Sequence, residues 1–278
     1  AAHAHGDEGI VAAVRAGADI LLMPPDAEEA IEAVAEAVRR GDLSEARLDR
    51  SVRRILAAKA AVGLNRTRHV NLGLLLAQVG RGDHEAWGQM VAERSITVVR
   101  SRAGGLPVEV AGRSILAVIY DDGRRHHSGD ELEDALGARG ARISTVRLSR
   151  YSESGDLDRV RRLARRSDAV VFASFARAVP WKGSLGLPTP VAELALELAG
   201  DGAPILSFGD PYLLGQLPAA CTYLLAWGRE PASQVAAVRA LVGEIPVTGR
   251  LPIDLPPDYR VGHGLMVPSL PGITTVRP

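Results

Sequence analysis

The 278-residue sequence contains few of the residues that mark specialised classes of protein. It has one cysteine, Cys221, which excludes a disulfide framework and a metal site built from several thiolates. Aromatic residues make up 4% of the chain, so a surface that stacks many rings on sugars or bases is not expected. The 33 basic residues equal the 33 acidic residues, and this balance argues against nucleic acid as the main partner.

Long apolar runs are also absent. No run approaches the roughly 20 residues that a membrane-spanning helix needs, so no membrane span is expected. The chain starts at Ala1 without a methionine, so the lack of a signal peptide excludes no compartment, and one cysteine fits cytoplasm and periplasm equally. The remaining composition, 46% hydrophobic and 24% charged, is typical of a globular protein with a core.

The first 64 residues predict helices around one short buried strand. Apolar residues at helical spacing predict helices at Asp7–Ala16, at Ala27–Arg40 and from Ser44 to Gly63. Between the first two, the run ADILLM (Ala18–Met23) suits a strand buried on both faces. The second helix, capped by Asp26, has Ile31, Val34, Ala35 and Val38 on one face. A single strand lacks a partner, so this segment does not make a domain alone.

Strands alternate with helices in the rest of the chain. Apolar runs predict strands at Ile96–Val99, Ser114–Tyr120, Ala141–Arg147, Asp168–Ala173, Pro204–Phe208 and Thr222–Ala226. Helices are predicted at about 84–94, 128–139, 155–166, 190–199, 211–216 and 231–242. Such alternation indicates a parallel, doubly wound sheet covered on both faces. Residues 244–278 hold seven of the 17 prolines, which predicts an extended tail with at most a short strand at Gly249–Ile253.

The acidic pair Asp121-Asp122 directly follows a predicted buried strand, the place where open α/β sheets usually bind ligands. A phosphoacceptor receiver domain would need a further aspartate after the third strand of its sheet, and that position holds Ser174. The pair is therefore interpreted as a solvated turn that helps to cap a helix, and not as a magnesium site.

The histidines also fail to predict a site. His3 and His5 with Asp7, and His126 with His127, lack the i, i+4 spacing and the third ligand of a metal centre. They are interpreted as surface-loop residues. The sequence has no Gly-x-Ser-x-Gly motif, and Cys221 has no histidine partner nearby in sequence, so it is interpreted as a small buried hydrophobe. No cofactor is predicted.

Three stretches together resemble family three of the glycoside hydrolases, in its β-N-acetylhexosaminidase-like branch. The first, AVRAGADILLMPPD followed by LSEARLDRSVRRILAAKAAVGL, is similar to the last strand and closing helices of that family's (β/α)8 barrel. The second, VAERSITVVRS, is similar to the entry into the family's second domain. The third, SFGDPYLLGQLP with TYLLAWG and VTGRLPIDLP after it, resembles the end of the second domain.

The resemblance implies an α/β chain that contains only the C-terminal portion of the family's architecture. Residues 1–64 would be the barrel remnant, with the last strand and closing helices, and 65–92 the inter-domain connection. Residues 93–268 would form a flavodoxin-like, doubly wound and mostly parallel α/β sandwich, followed by a tail at 269–278. The N-terminal part of the barrel would be the missing partner of the remnant.

The resemblance also implies that this chain contains no catalytic residue. The family's nucleophile is an aspartate in a Ser/Thr-Asp motif, expected a few residues before Ala1. The branch takes its general acid/base from a His-containing loop further upstream, which none of His3, His5 or His126 matches. Asp210 stands where the family would have Asn or Ser, and a helix cap explains it.

One substrate contact is expected within these residues. The C-terminal ends of barrel strands face the active site, so Met23 is the candidate for apolar contact with sugar, while Asp26 caps the next helix. A Met23 that only plugs the barrel mouth is an equally good interpretation. The implied parent is a retaining exo-glycosidase acting on terminal β-linked N-acetylhexosamine, with a β-glucosidase or a non-catalytic flavodoxin-like binding module as alternatives.

Overall fold

A computed structural model describes residues 7–122, 128–176 and 186–271. It divides the chain into two compact units, Ala1–Val79 and Gly80–Pro278. Each unit has its own buried cluster of apolar side chains. In the parts of the chain described, no helix is long and apolar enough to cross a membrane.

The first unit is helical. Its helices are α1 (Asp7–Arg15), α2 (Ala27–Arg39), α3 (Glu45–Ala61) and the short α4 (Leu75–Gln78), which follows a 3-10 turn at Leu72–Leu74. A small core holds α1 and α2 together through Val11, Val14, Ala33, Ala37 and Leu43. On α2 the buried residues are alanines, and Ile31, predicted to lie on the core face, is 70% exposed. The buried face of α2 is therefore rotated from the predicted one.

The predicted strand Ala18–Met23 is wrong for this structure. These residues form no ladder, and the described part of the first unit contains no strand at all. An extended segment becomes a strand only by pairing its backbone with a neighbouring strand, and none adjoins it in the described part of this unit. The presence of a barrel remnant is accordingly not confirmed by the fold of these residues.

The second unit begins with helix α5 (Gly82–Ser95) and contains a six-stranded sheet. Its strands are β1 (Thr97–Arg100), β2 (Ser114–Tyr120), β3 (Arg142–Leu148), β4 (Ala169–Ser174), β5 (Ile205–Ser207) and β6 (Tyr223–Leu225). The helices between and after them are α6 (Asp130–Gly137), α7 (Ser154–Ala164), α8 (Thr189–Gly200) and α9 (Pro231–Leu241). The predicted helix at 211–216 is a 3-10 helix, Pro211–Gln216.

The strand order is β1-β6-β5-β4-β2-β3, and every pair is parallel except β1 with β6. The five parallel strands therefore follow the flavodoxin-like order 2-1-3-4-5 when counted from β2. The prediction of a mostly parallel, doubly wound sheet is confirmed for this unit. Strand order reverses between β2 and β4, which makes that junction the topological switch point.

Helices cover both faces of the sheet. Side chains of α7 and α8 pack on one face against Leu116, Val118 and Tyr120. Side chains of α5, α6 and α9 pack on the other against Ile115, Ala117 and Ile119. The two sets alternate along β2, as required of a strand buried on both sides.

The tail after α9 runs along the outer edge of β1. It is extended, as predicted, but forms isolated bridges, Val98 with Leu265 and Val247 with Val267, and not the strand expected at Gly249–Ile253. Gly249 passes so close to the backbone of Ile96 that a Cβ would overlap its carbonyl group. The glycine thereby allows the tail to cover the edge strand, which limits edge-to-edge association.

Replacing Gly249 tests this packing. Gly249→Ala places a methyl group against the Ile96 carbonyl and is expected to lower the free energy of unfolding by about 2 kcal/mol, as overpacking does. Denaturant unfolding monitored by circular dichroism measures it. Gly215→Ala is the matched control, since nothing lies within 4 Å of its Cβ position. Equal stability of the two variants would mean that the tail does not pack there.

Amide hydrogen exchange tests the difference between the units. The first unit rests on a small core, so its helices open at low cost, whereas the central strands of the sheet open only at high cost. We expect fast exchange at residues 10–40 and slow exchange at the described residues of 115–225. Uniform protection of both regions in a monomer would contradict this expectation.

Candidate functional site

Met23 lies at the end of an exposed segment that leads into α2. Its side chain is 87% exposed, and its φ of +53° lies in the left-handed region, which costs a residue with a side chain on the order of 1 kcal/mol. Asp26 then caps α2, since its Oδ1 accepts hydrogen bonds from the backbone N–H groups of Glu28 (2.8 Å) and Glu29 (3.0 Å). The predicted cap is confirmed, and the sugar contact of Met23 stays a prediction.

Asp19 anchors the start of the same segment to α3. The Ser51 hydroxyl donates to its Oδ1 at 2.7 Å, Arg54 donates at 3.1 Å and Arg47 lies 3.5 Å away. Arg47 also donates to the Ala18 carbonyl at 3.1 Å. The Ser51 hydrogen bond, followed by that of Arg54, holds the pKa of the Asp19 carboxyl below its usual value. Contacts with α3 and α2 thus fix the segment at both ends, while its apolar middle stays exposed.

In the second unit, the strands present one row of residues at the carboxyl edge of the sheet. Tyr120 of β2 pairs in register with Leu148 and Ser174, Ser174 with Ser207, and Ser207 with Leu225. Open α/β sheets bind ligands beyond this edge, at the switch point. Asp121 and Phe175 immediately follow β2 and β4 and therefore lie at the position where such sheets bind ligands.

Asp121 forms a largely buried ion pair. The residue is 7% exposed, and Arg229 Nη2 donates to its Oδ2 at 2.7 Å. The Ser128 hydroxyl contacts the same carboxylate and lies 3.1 Å from Arg229 Nη2. The interpretation of this residue as part of a solvated turn is wrong, because a guanidinium that follows β6 compensates its charge and allows burial.

Arg229 connects the two strand ends at the switch point. Its guanidinium lies 5.7 Å from the centre of the Phe175 ring, and that ring stacks on Phe208 with centroids 4.6 Å apart. Gln234 fixes the Arg229 backbone, since its Nε2 donates to the Arg229 carbonyl at 2.9 Å. The protein's own cation therefore contacts the residues that follow both strands at the switch point. No local sequence pattern signals this pairing across 108 residues.

Tyr120 lies on the other face of β2 and is fully buried. Burial, together with the nearby Asp122 carboxylate, raises the pKa of its hydroxyl to about 12. A group with this pKa does not exchange protons readily near neutral pH. Tyr120 is therefore poorly suited to act as a general acid or base.

Asp210 acts as a cap, as predicted. Its Oδ1 accepts a hydrogen bond from the Tyr212 backbone N–H at 2.9 Å, at the start of the 3-10 helix. Its carbonyl accepts from the Ser207 hydroxyl at 2.9 Å. Cys221 is half-buried and not the fully buried hydrophobe expected, because it sits in the turn before β6.

The histidine pairs lie outside the described residues, since His3, His5, His126 and His127 all fall there. Within residues 7–122, 128–176 and 186–271, no group of three or more His, Cys, Asp or Glu side chains could hold a metal ion. The described residues therefore define a two-unit α/β protein whose sheet edge is stabilised by an internal ion pair.

Comparison with known proteins finds that this chain is similar to glycoside hydrolases. Residues 1–58 match the family model described as the glycosyl hydrolase family 3 N terminal domain. Over 262 residues the chain is 25% identical to a beta-N-acetylglucosaminidase/beta-glucosidase of Cellulomonas fimi, which covers 87% of this chain and 44% of that protein. The predicted resemblance is confirmed: residues 1–58 match the family 3 model, and most of the chain is similar to a beta-N-acetylglucosaminidase/beta-glucosidase.

Solved structures show the same fold. A family 3 beta-N-acetylglucosaminidase from Paenibacillus sp. superposes with a TM-score of 0.66 at 24% identity, over 87% of this chain and 46% of that one. A beta-glucosidase from Listeria innocua superposes with a TM-score of 0.61 at 18% identity, over 90% and 38%. The chain thus spans less than half the length of these relatives.

Removing one partner of the buried ion pair tests its structural role. Arg229→Met removes the Arg229 guanidinium from the buried Asp121 carboxylate and is expected to lower the free energy of unfolding by about 3 kcal/mol. Replacing both residues, as Asp121→Leu with Arg229→Met, is expected to cost less than the sum of the single changes. Arg162→Met on α7, an exposed position, is the control. A wild-type denaturation midpoint for Arg229→Met would show that the pair contributes nothing.

Proposed function

We propose that this chain is the C-terminal portion of a retaining, exo-acting glycoside hydrolase that removes terminal β-linked N-acetylhexosamine. The observation that carries the proposal is the similarity to the Cellulomonas fimi enzyme over 87% of the chain. The match of residues 1–58 to the family's N-terminal domain model supports it. In this chain the matched segment is followed by the sheet-containing unit, which is the order expected if the chain holds the end of the family's barrel and then its second domain.

Exposed apolar side chains in the first unit support the proposal physically. Between Ala18 and Ala61, six large ones are more than half exposed: Ile20, Leu22, Met23, Ile31, Val52 and Leu56. Apolar exposure on this scale marks a surface that another protein segment covers. In the proposal, the N-terminal part of a barrel pairs with the segment 18–23 and covers these side chains.

The proposed division of labour follows from the chemistry of retaining glycosidases. Such enzymes use a carboxylate nucleophile and an acid/base group that flank the scissile bond. In the proposal both groups come from upstream of Ala1. This chain closes the barrel, and Met23 gives the sugar an apolar contact that performs no chemistry.

A β-glucosidase is the first alternative, since the printed name of the Cellulomonas fimi enzyme includes both activities. The two are distinguished by assaying the longer protein with aryl N-acetyl-β-glucosaminide and aryl β-glucoside. The second alternative is a non-catalytic flavodoxin-like binding module. The contacts of Arg229 with Asp121 and Phe175 argue against it, because they engage both residues that directly follow β2 and β4 at the switch point.

Assay of this chain alone tests where the catalytic groups lie. Without the upstream nucleophile, the chain should hydrolyse neither aryl substrate above background, because covalent catalysis requires the attacking carboxylate. The positive control is the longer protein under the same conditions. Turnover by the chain that is abolished on replacing one of its own acids would refute the proposed division.

Kinetics of a Met23 variant in the longer protein test the substrate contact. Met23→Ala should raise KM about threefold to tenfold and change kcat less, because a contact made equally in ground and transition states is lost. Leu22→Ala is the matched control, since Leu22 is adjacent and similarly exposed, at 84%. Wild-type KM and kcat with lowered stability in Met23→Ala would assign Met23 to the barrel core.

A further inference from the structure

A second cleft lies in the sheet-containing unit at the opposite edge from Asp121. It forms where β2, β4 and β5 begin and where α7 and α8 end, and its volume is about 480 Å³. Small-molecule sites in proteins occupy roughly 300–1,000 Å³. The cleft is thus large enough for a sugar or an amino acid, and all its lining residues lie within the described part of the chain.

Four arginines line this cleft, and two of them are already neutralised. Arg113 pairs with Glu109 at 2.7 Å, and Arg161 pairs with Glu197 at 2.8 Å. The other two, Arg102 and Arg165, make no ion pair within residues 7–122, 128–176 and 186–271. Their guanidinium groups therefore remain available to an external anion.

An acidic residue, Asp201, lines the same cleft one position before the glycine that contacts Arg102. The Arg102 guanidinium rests against Gly202, where a Cβ would come within 3.1 Å of Arg102 Cζ. Gly202 has a φ of +105°, so glycine provides both the turn after α8 and the room for the guanidinium. The preceding residue, Asp201, also lines the cleft and makes no ion pair in the described structure. Residues of both charge signs thus line the cleft, and no ion pair joins Asp201 to Arg102 or Arg165 in the described structure.

We infer that this cleft binds a small molecule that carries both an anionic group and an ammonium group. Arg102 and Arg165 would bind the anion, and Asp201 would bind the ammonium. An anion alone would face the partial negative charge at the ends of α7 and α8, and a cation alone would face the arginines. In a ligand that carries both charges, the anionic group can face the arginines and the ammonium group can face Asp201 and the helix ends, so both repulsions are avoided. This inference is independent of the proposed glycosidase activity.

Calorimetric titration of the whole chain with a matched set of probes tests the inference. Glucosamine 6-phosphate carries both charges, glucose 6-phosphate only the anion, and glucosamine only the ammonium. At constant ionic strength, glucosamine 6-phosphate should bind with a Kd on the order of 1 mM, and the other two about tenfold more weakly. Glutamate serves as the amino-acid probe. If glutamate binds more tightly than glucosamine 6-phosphate, the ligand class is an α-amino acid and not an amino-sugar phosphate.

Two variants connect the binding to the named residues. Arg102→Gln should weaken glucosamine 6-phosphate binding about tenfold, as expected for a lost charge-assisted hydrogen bond. Asp201→Asn should remove the preference for glucosamine 6-phosphate over glucose 6-phosphate. The controls are Arg162→Gln and Asp134→Asn, two exposed charges outside the cleft, and thermal melts check that every variant is folded. Failure of both glucosamine 6-phosphate and glutamate to bind, or equal binding by folded Arg102→Gln and wild type, would overturn the inference.

Discussion

Backbone pairing between parallel strands is the constraint on which the rest of this molecule depends. In the second unit each parallel strand hydrogen-bonds its neighbours in register, and apolar runs such as ILAVIY in β2 are completely buried. The segment ADILLM is also mostly apolar, but no strand adjoins it in the described part of the first unit, and the side chains of Ile20, Leu22 and Met23 are exposed. The same physical rule thus produces a stable sheet in one unit and an unpaired segment in the other.

The carboxyl edge of the sheet shows how a fold that commonly binds ligands can instead hold an internal contact. Arg229 reaches both Asp121 and the Phe175 ring, the residues that follow β2 and β4. This contact joins the residue that follows β2 to Phe175 after β4 and to Arg229 after β6. The unpaired charges at the opposite edge of the sheet are the binding feature proposed for this unit.

Local sequence patterns predicted the parts of this structure that depend on local chemistry. The alternation of strands and helices after residue 93, the caps at Asp26 and Asp210 and the extended tail all follow from residue type and spacing. The unformed strand at Ala18–Met23 and the burial of Asp121 were not predictable in this way. Formation of the strand depends on a partner strand, and burial of Asp121 depends on a guanidinium 108 residues away. Neither partner can be inferred from the residues adjacent in sequence.

The central claim is that the first unit completes a catalytic barrel whose earlier strands precede it. The most direct measurement is the coding sequence immediately upstream of the codon for Ala1. The account predicts an open reading frame that encodes a further barrel strand ending in a Ser/Thr-Asp pair, within about one βα unit of Ala1. An upstream sequence without such a strand and aspartate would contradict the account and favour a non-catalytic binding module.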